Sequence, residues 1–268
     1  MDSNAGNRFA DFFKEGKYLI LNNHLYNYLL RKRAIEKCLQ QESPTMILEV
    51  GSGISPVVTK FNRTVYSDLS YEAIKILKQT QKTGYYVVAD GMHLPFKSNG
   101  FSHIICSEVL EHLENDRQAL KEMARTLKQP SGTLIITVPH RKCYFTTDDH
   151  FVKHYRRYEL SEIKKRLRFS GLKPVQTQKV LGPLEKVTMI LAVILFTAIQ
   201  KNRAGKISVA RDRDFRFMAV YACLFEWTNL FYKGFVWIDA MIMPLSFSSV
   251  ILIKSMPFNN DKAFVNSE

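Results

Sequence analysis

The chain has 268 residues, room for one α/β domain with an insertion or one domain with a small appendage. Hydrophobic residues make up 46% and charged residues 24%, which excludes global disorder and implies a packed core. The formal net charge of +13 points to an anionic partner: nucleic acid, an acidic membrane surface or a phosphorylated substrate. Cys38, Cys106, Cys143 and Cys223 lie far apart and form no C-x-x-C pair, so neither a zinc site nor a disulfide framework is expected, and a reducing cytosol is the simplest compartment. Cys106 lies in an apolar run and reads as a core residue. Met1 to Gly6 lacks the basic-then-apolar order of a signal peptide. No apolar stretch reaches the roughly 20 residues that a spanning helix needs.

Residues 8–42 read as helical, with Leu25, Leu29, Ile35 and Leu39 roughly on one face. They close an N-terminal helical cap over 1–42, ended by Ser43-Pro44. Thr45 to Val50 is a short apolar run stopped by Gly51, the pattern of a buried strand. Thr64 to Ser67 is a second strand, ending at Asp68. Tyr71 to Gln79 is a helix with Ala73, Ile74 and Leu77 inward. Tyr85 to Ala89 is a third strand, ending at Asp90. Phe101 to Cys106 is a fourth. Asp116 to Leu127 is a helix with Leu120, Met123 and Leu127 on one face, and Gly132 to Val138 is a fifth strand. Leu172 to Val180 and Ser248 to Lys254 read as the sixth strand and a seventh, alternate-direction strand. Strands that alternate with helices imply parallel βαβ units. Ligands on such sheets bind at the carboxyl ends of strands, near a switch point in strand order. Glycines and acids stand at those ends here, at 49–53, 68 and 90–91.

Four segments carry candidate chemistry. Glu49-Val50-Gly51-Ser52-Gly53-Ile54-Ser55-Pro56 has glycines that let backbone turn and approach a ligand, although a plain tight turn needs them as well. Asp68 can accept hydrogen bonds from ribose hydroxyls, or cap the helix that follows. Asp90-Gly91-Met92-His93-Leu94-Pro95-Phe96 offers an acid for an adenine amino group beside an apolar cradle, or an ordinary Asp-capped loop. Cys106-Ser107-Glu108-Val109-Leu110-Glu111-His112-Leu113 follows the fourth strand and faces the reaction centre on this reading.

Taken in order, Glu-x-Gly-x-Gly, Asp68, Asp-Gly-x-x-Leu-Pro-Phe and Ser-Glu-Val-Leu-Glu-His-Leu resemble the class I methyltransferases that use S-adenosylmethionine, above all the ubiquinone- and menaquinone-pathway subgroup. The resemblance covers roughly residues 45–180 and returns at the final strand; the third glycine of the fullest motif is absent. It implies a Rossmann-like, seven-stranded, mostly parallel sheet with helices on both faces. It implies that Glu49, Gly51 and Gly53 line the methionine part and ribose, that Asp68 binds the ribose hydroxyls, and that Asp90, Gly91 and Met92 hold the adenine. Ser107 and Glu108 would border the sulfonium. A dehydrogenase would need a second nucleotide half and a proton-handling residue, and the short strand series argues against it.

Methyl transfer from a sulfonium is an in-line displacement in which the enzyme positions the acceptor and a base may take its proton. His112 and His150 are the candidate bases. A histidine in such a loop can equally bond the local backbone. Glu108, Glu111 and His112 also resemble a metal-ligand cluster of some related O-methyltransferases, with His150 as a further ligand; the same residues occur in relatives without metal, and no metal is assigned from sequence.

Residues 181–245 form an insertion within the methyltransferase domain of 43–180 and 246–258. Val187 to Ile199 is almost wholly apolar. Lys201, Arg203, Lys206, Arg211, Arg213 and Arg216 follow, and then Phe217, Val220, Tyr221, Leu224, Trp227, Phe231 and Phe235 recur at helical spacing. Apolar and aromatic faces with Lys and Arg between them draw helices to anionic lipid. Two helices packed as a lid or dimer surface give the same pattern. The expectation is a cytoplasmic, peripheral membrane enzyme touching lipid through 183–238 and methylating an oxygen of a hydrophobic or lipid-linked acceptor. No RNA-binding module is recognisable. The alternatives are a soluble methyltransferase for RNA or a small phosphorylated acceptor, and a non-catalytic assembly partner.

Overall fold

A computed structural model describes residues 25–191, 194, 229 and 231–258. The expected helix at 8–24 and the basic run with its following aromatics up to Trp227 lie outside these residues.

Seven strands form one sheet: β1 (Ile47–Val50), β2 (Thr64–Asp68), β3 (Tyr85–Val88), β4 (His103–Ser107), β5 (Thr133–Pro139), β6 (Leu172–Leu181) and β7 (Val250–Pro257). Their order is β3-β2-β1-β4-β5-β7-β6. The chain walks outward from β1 to β3, then returns to lay β4 on the other side of β1. The strand order therefore reverses between β1 and β4, which opens a crevice at their carboxyl ends. β7 runs antiparallel to both neighbours, β5 and β6, as the alternate-direction strand of the sequence reading requires.

The central strands are buried end to end because helices cover both faces, which is why they read as plain apolar runs. On one face α3 (Asp116–Thr126) and α5 (Leu160–Phe169) bury Leu120, Met123, Ile163 and Leu167 against Leu48, Ile104, Cys106 and Ile136. On the other, α1 (Tyr26–Gln40) buries Ile35, Cys38 and Leu39 against Ile47, Ile105, Ile135 and Leu252. Starts of helices follow capping chemistry. The Ser70 side chain accepts from the Ala73 N–H at the head of α2 (Tyr71–Thr80), and Asn115 accepts from the Gln118 N–H at the head of α3.

Three strands shift by two residues or more at an end, β1 beginning at Ile47 in place of Thr45. β4 begins at His103, because Phe101 makes only a single bridge, to Leu127. β7 continues to Pro257, because its pairing with β6 runs on past the apolar residues. Of the insertion, 183–191 and 231–242 are helical. Among the described residues no helix is long and apolar enough to cross a membrane.

Candidate active site

The loop after β1 lies at the switch point. The Gly51 and Ser52 N–H groups both donate to the Ser67 carbonyl, at 2.8 and 3.0 Å, so β2 holds the turn closed. Gly51 has φ +70°, and a Cβ built there would stand 2.3 Å from Val109 Cγ2. Only glycine fits. Gly53, at φ +54°, instead opens on empty space. Glu49 is buried and serves this loop: its two carboxylate oxygens accept the Val57 and Val58 N–H groups at 2.7 and 3.0 Å. Burial pushes its carboxyl up to about 8 although both backbone donors oppose that.

A cavity of about 420 Å³ adjoins the loop, lined by Glu49, Gly51, Ser52, Gly53, Ile54 and Ser55 on one side and by Ser107, Glu108 and His112 on another. This is the size of a small-molecule site. The Ser52 and Ser55 hydroxyls are buried here and bond nothing in the protein. Such orphaned polar atoms at a glycine loop fit the free amino-acid end of a nucleoside that carries one.

The other expected donor-site residues gather beside this loop without all reaching the cavity. Asp68 Oδ2 accepts the Gly53 N–H at 2.9 Å, and Oδ1 accepts the Ser70 N–H at 2.8 Å. Burial raises the Asp68 carboxyl against those two donors. It thus binds the loop and caps the approach to α2 at once. Gly91 packs on β1, where a Cβ would meet Val50 Cγ1 at 3.2 Å. Asp90 folds its own turn, accepting the Met92 N–H at 2.8 Å and facing His93 Nδ1 at 3.1 Å, while Met92 packs on the core. Asp68, Asp90, Gly91 and Met92 do not line the cavity.

At the tip of β4, Ser107 Oγ pairs with Thr137 Oγ1 at 2.8 Å and accepts from Arg31 Nη1 at 3.5 Å. Glu108 has φ +54°, a left-handed backbone uncommon for a side-chain-bearing residue and found where a site constrains the chain. Its Oε1 is buried without a hydrogen-bond partner. Lys153, also on the cavity, is left-handed too, at φ +61°.

Of the two expected bases, His112 lines the cavity and His150 does not. His150 is exposed on the short helix α4 (Thr147–Phe151), its ring against Phe145. His154 takes the place expected for it. After α4 the chain turns through left-handed Lys153, the His154 N–H donates to the Asp149 carbonyl, and the ring swings inward. His154 Nδ1 lies 2.8 Å from Asp149 Oδ1, and its ring meets that of His112 edge-on at 4.6 Å. Burial alone would raise the Asp149 carboxyl, but His154, Arg157 and Lys186 outweigh it and hold the group well below the ordinary range. A fixed carboxylate on Nδ1 sets the imidazole's tautomer and leaves Nε2 to receive a proton.

His154 Nε2 faces Glu111 Oε1 at 3.8 Å. Glu111 is fully buried and neither carboxylate oxygen has a hydrogen-bond partner. Burial, with Glu108 nearby, drives its carboxyl up. Ligand atoms of Glu111, His112 and His154 lie within 4.8 Å of one another, a donor set that could hold a divalent cation and fits one chemically. The set differs from the cluster that the resemblance offers: His154 joins Glu111 and His112, and Glu108 and His150 stand outside.

The insertion supplies the last wall. Glu185 and Met189, from the helical stretch 183–191, line the cavity. Glu185 is only 6% exposed and its Oε2 has no partner; burial raises its carboxyl. Beside it Lys186 Nζ is buried and bonds Asp148 at 2.6 and 2.7 Å and Asp149 at 2.6 Å. Sequence reading did not single out His154, Asp149, Arg31, Glu185 or Lys186.

Residues 48–136, about a third of the chain, match the family model described as a methyltransferase domain. Among curated proteins, the demethylmenaquinone methyltransferase of Streptomyces griseus is 28% identical over 111 residues, 40% of this chain and 48% of that protein. The tRNA (carboxymethyluridine(34)-5-O)-methyltransferase of Schizosaccharomyces pombe is 30% identical over 69 residues, 26% of this chain and 30% of its own. The chain spans less than half the length of these relatives. Among solved structures, phosphoethanolamine N-methyltransferase 2 of Haemonchus contortus, in complex with S-adenosyl-L-methionine, superposes with a TM-score of 0.57 at 16% identity, over 94% of this chain and 60% of that one. At that identity the likeness shows the fold.

Proposed function

We propose that this chain is an S-adenosylmethionine-dependent methyltransferase that methylates an oxygen of a hydrophobic or lipid-linked acceptor at a membrane surface, a reading supported by the methyltransferase-domain match over residues 48–136. S-adenosylmethionine supplies an electrophilic methyl group when bound. The glycine loop, held in place by Asp68, and the two orphaned serine hydroxyls receive its polar parts. Glu108 and Glu185 flank the space left for an acceptor, and His154, steered by Asp149, takes the acceptor's proton on Nε2. A His154 that ligated a cation through Nε2 could not also take that proton, so turnover that survives a chelator supports the base.

The observation that carries the acceptor class is the stretch 183–191. Met189 lines the cavity, while Val187 and Leu191 on the same helix are more than half exposed. This helical stretch thus joins the reaction space to an apolar outer surface, which is how an acceptor leaving a bilayer would enter.

A second reading, a methyltransferase for RNA, is favoured by the +13 charge and the tRNA-modifying relative. Incubation with labelled methyl donor and either total lipid or total RNA extract separates the two. Label in the lipid fraction is the expected result. Label confined to RNA overturns the acceptor assignment, and donor binding without any transfer points to a non-catalytic partner.

A further inference from the structure

A second cavity, of about 440 Å³, lies away from the reaction space, between α1 and the helical stretch 231–242. Lys32, Arg33, Lys37, Lys60 and Lys233 line it, against one acid, Glu36, which pairs with Lys60 at 2.8 Å. Partial burial depresses the Lys32 ammonium against the pull of Glu36 and Glu49, and Lys60 adds a smaller depression. With Lys60 paired to Glu36, four further cations, Lys32, Arg33, Lys37 and Lys233, are left around the concavity and make it an anion site.

The same helix is turned inside out. Val236 and Ala240 face the core, while Phe231, Phe235 and Ile242 are 68%, 65% and 72% exposed. At about 100° per residue, the exposed arc runs from Phe235 through Phe231, Ile238 and Met241 to Trp237. There it meets the groove: Arg33 stands over the Trp237 ring at 5.7 Å, and Lys233 follows round the helix. Apolar side chains, then tryptophan, then clustered cations is the order of a membrane interface read from the acyl chains outward.

We infer that this groove binds the phosphate of an anionic lipid headgroup and so fixes how the protein sits on a bilayer, with Phe231 and Phe235 inserted and α1 at headgroup level. The inference rests on the membrane-surface reading above. Charge complementarity selects the occupant, since a neutral surface would leave the groove's cations unpaired at the edge of an apolar face.

The test is co-sedimentation of the full chain with phosphatidylcholine vesicles, with and without phosphatidylserine, alongside binding to total tRNA. The wild type is expected to bind the anionic vesicles and to lose binding as salt rises. Arg33→Glu/Lys37→Glu, two exposed positions, should bind anionic vesicles at least about tenfold more weakly and match the wild type on neutral ones. Phe231→Ser/Phe235→Ser should lose both. Unaltered donor binding shows that each variant is folded. Charge-reversed protein that sediments like the wild type overturns the inference, as does loss of tRNA binding with vesicle binding intact. The extract assay keeps the two ideas apart: label in lipid with a silent groove sinks the headgroup site alone, and label only in RNA sinks the acceptor class.

Discussion

Gly51→Ala should damage the site through one identifiable neighbour. Two terms add. The first is backbone: φ +70° costs a side-chain-bearing residue about 1–2 kcal/mol. The second is steric: the new Cβ would stand 2.3 Å from Val109 Cγ2 and 3.2 Å from Cγ1, an overpacking worth about 1–3 kcal/mol. The single variant should therefore lose about 2–5 kcal/mol of stability. Val109→Ala removes both γ-methyls and leaves its own Cβ at 3.4 Å, an ordinary contact. In the background of Gly51→Ala it should recover the steric part and leave the backbone part. A double-mutant cycle by denaturant unfolding should then give a favourable coupling of about 1–3 kcal/mol. Donor affinity, read by calorimetry, should fall in the single variant and return in part in the double. If the two substitutions add without coupling, Val109 does not clasp the loop and the account of the strand tip fails.

Four further outcomes follow from the site. Glu49, raised to about 8 by burial, favours folding fully below its unfolded value near 4.5, and that contribution is lost as pH rises through 8; Glu49→Gln should flatten the pH dependence of Tm over this window while costing about 1–3 kcal/mol, since one backbone donor then faces an amide NH2. Asp68→Ala should weaken donor binding by about 1–3 kcal/mol in calorimetry, and an unchanged affinity would remove Asp68 from the site. His154→Gln should lower kcat by about 100- to 10,000-fold with donor affinity kept, whereas His150→Ala should leave kcat alone; equal effects would refute the assignment of the base. Lys186→Met leaves Arg157 as the remaining buried cation beside Asp148 and Asp149 and should cost about 1–3 kcal/mol in chemical unfolding, a loss that a merely surface-held insertion would not show.

Strand tips and helix heads were legible in the sequence because their physics is local. A fully buried parallel strand reads as a short apolar run, and the residue that stops it, Gly51, Asp68 or Asp90, is the one that must turn the chain. Strand ends were less legible where pairing rather than hydrophobicity decides them, as at Ser255 and Met256 of β7, held in register by β6. The choice of histidine was not legible. His150 and His154 sit four apart in one polar segment, and only the turn at left-handed Lys153 decides which faces Glu111. An acid five residues before His154 was the available sign. Glu185 and Lys186 stand at the head of the apolar run from Val187, where local sequence does not tell a solvated edge from a buried pair; two opposite charges beside such a run were the one hint that they are buried.

The buried lysine has a wider consequence. Lys186 bonds Asp149, Asp149 orients His154, and the two residues flanking Lys186 in the helix point opposite ways: Glu185 into the reaction space and Val187 outward. The base and the outer apolar face are therefore attached to one rigid element. Were 183–191 to lift, Asp148 and Asp149 would lose Lys186 and keep only Arg157 as a buried cation, at a cost of about 1–3 kcal/mol. A bilayer that favours the docked helix over the lifted one shifts that equilibrium only by its differential affinity for the two. Because the ion pairs already make the docked state dominant, lipid has little left to gain by ordering the base. If the proposed membrane contact holds, its effect on turnover is to deliver the acceptor, and it should enter through KM and not kcat.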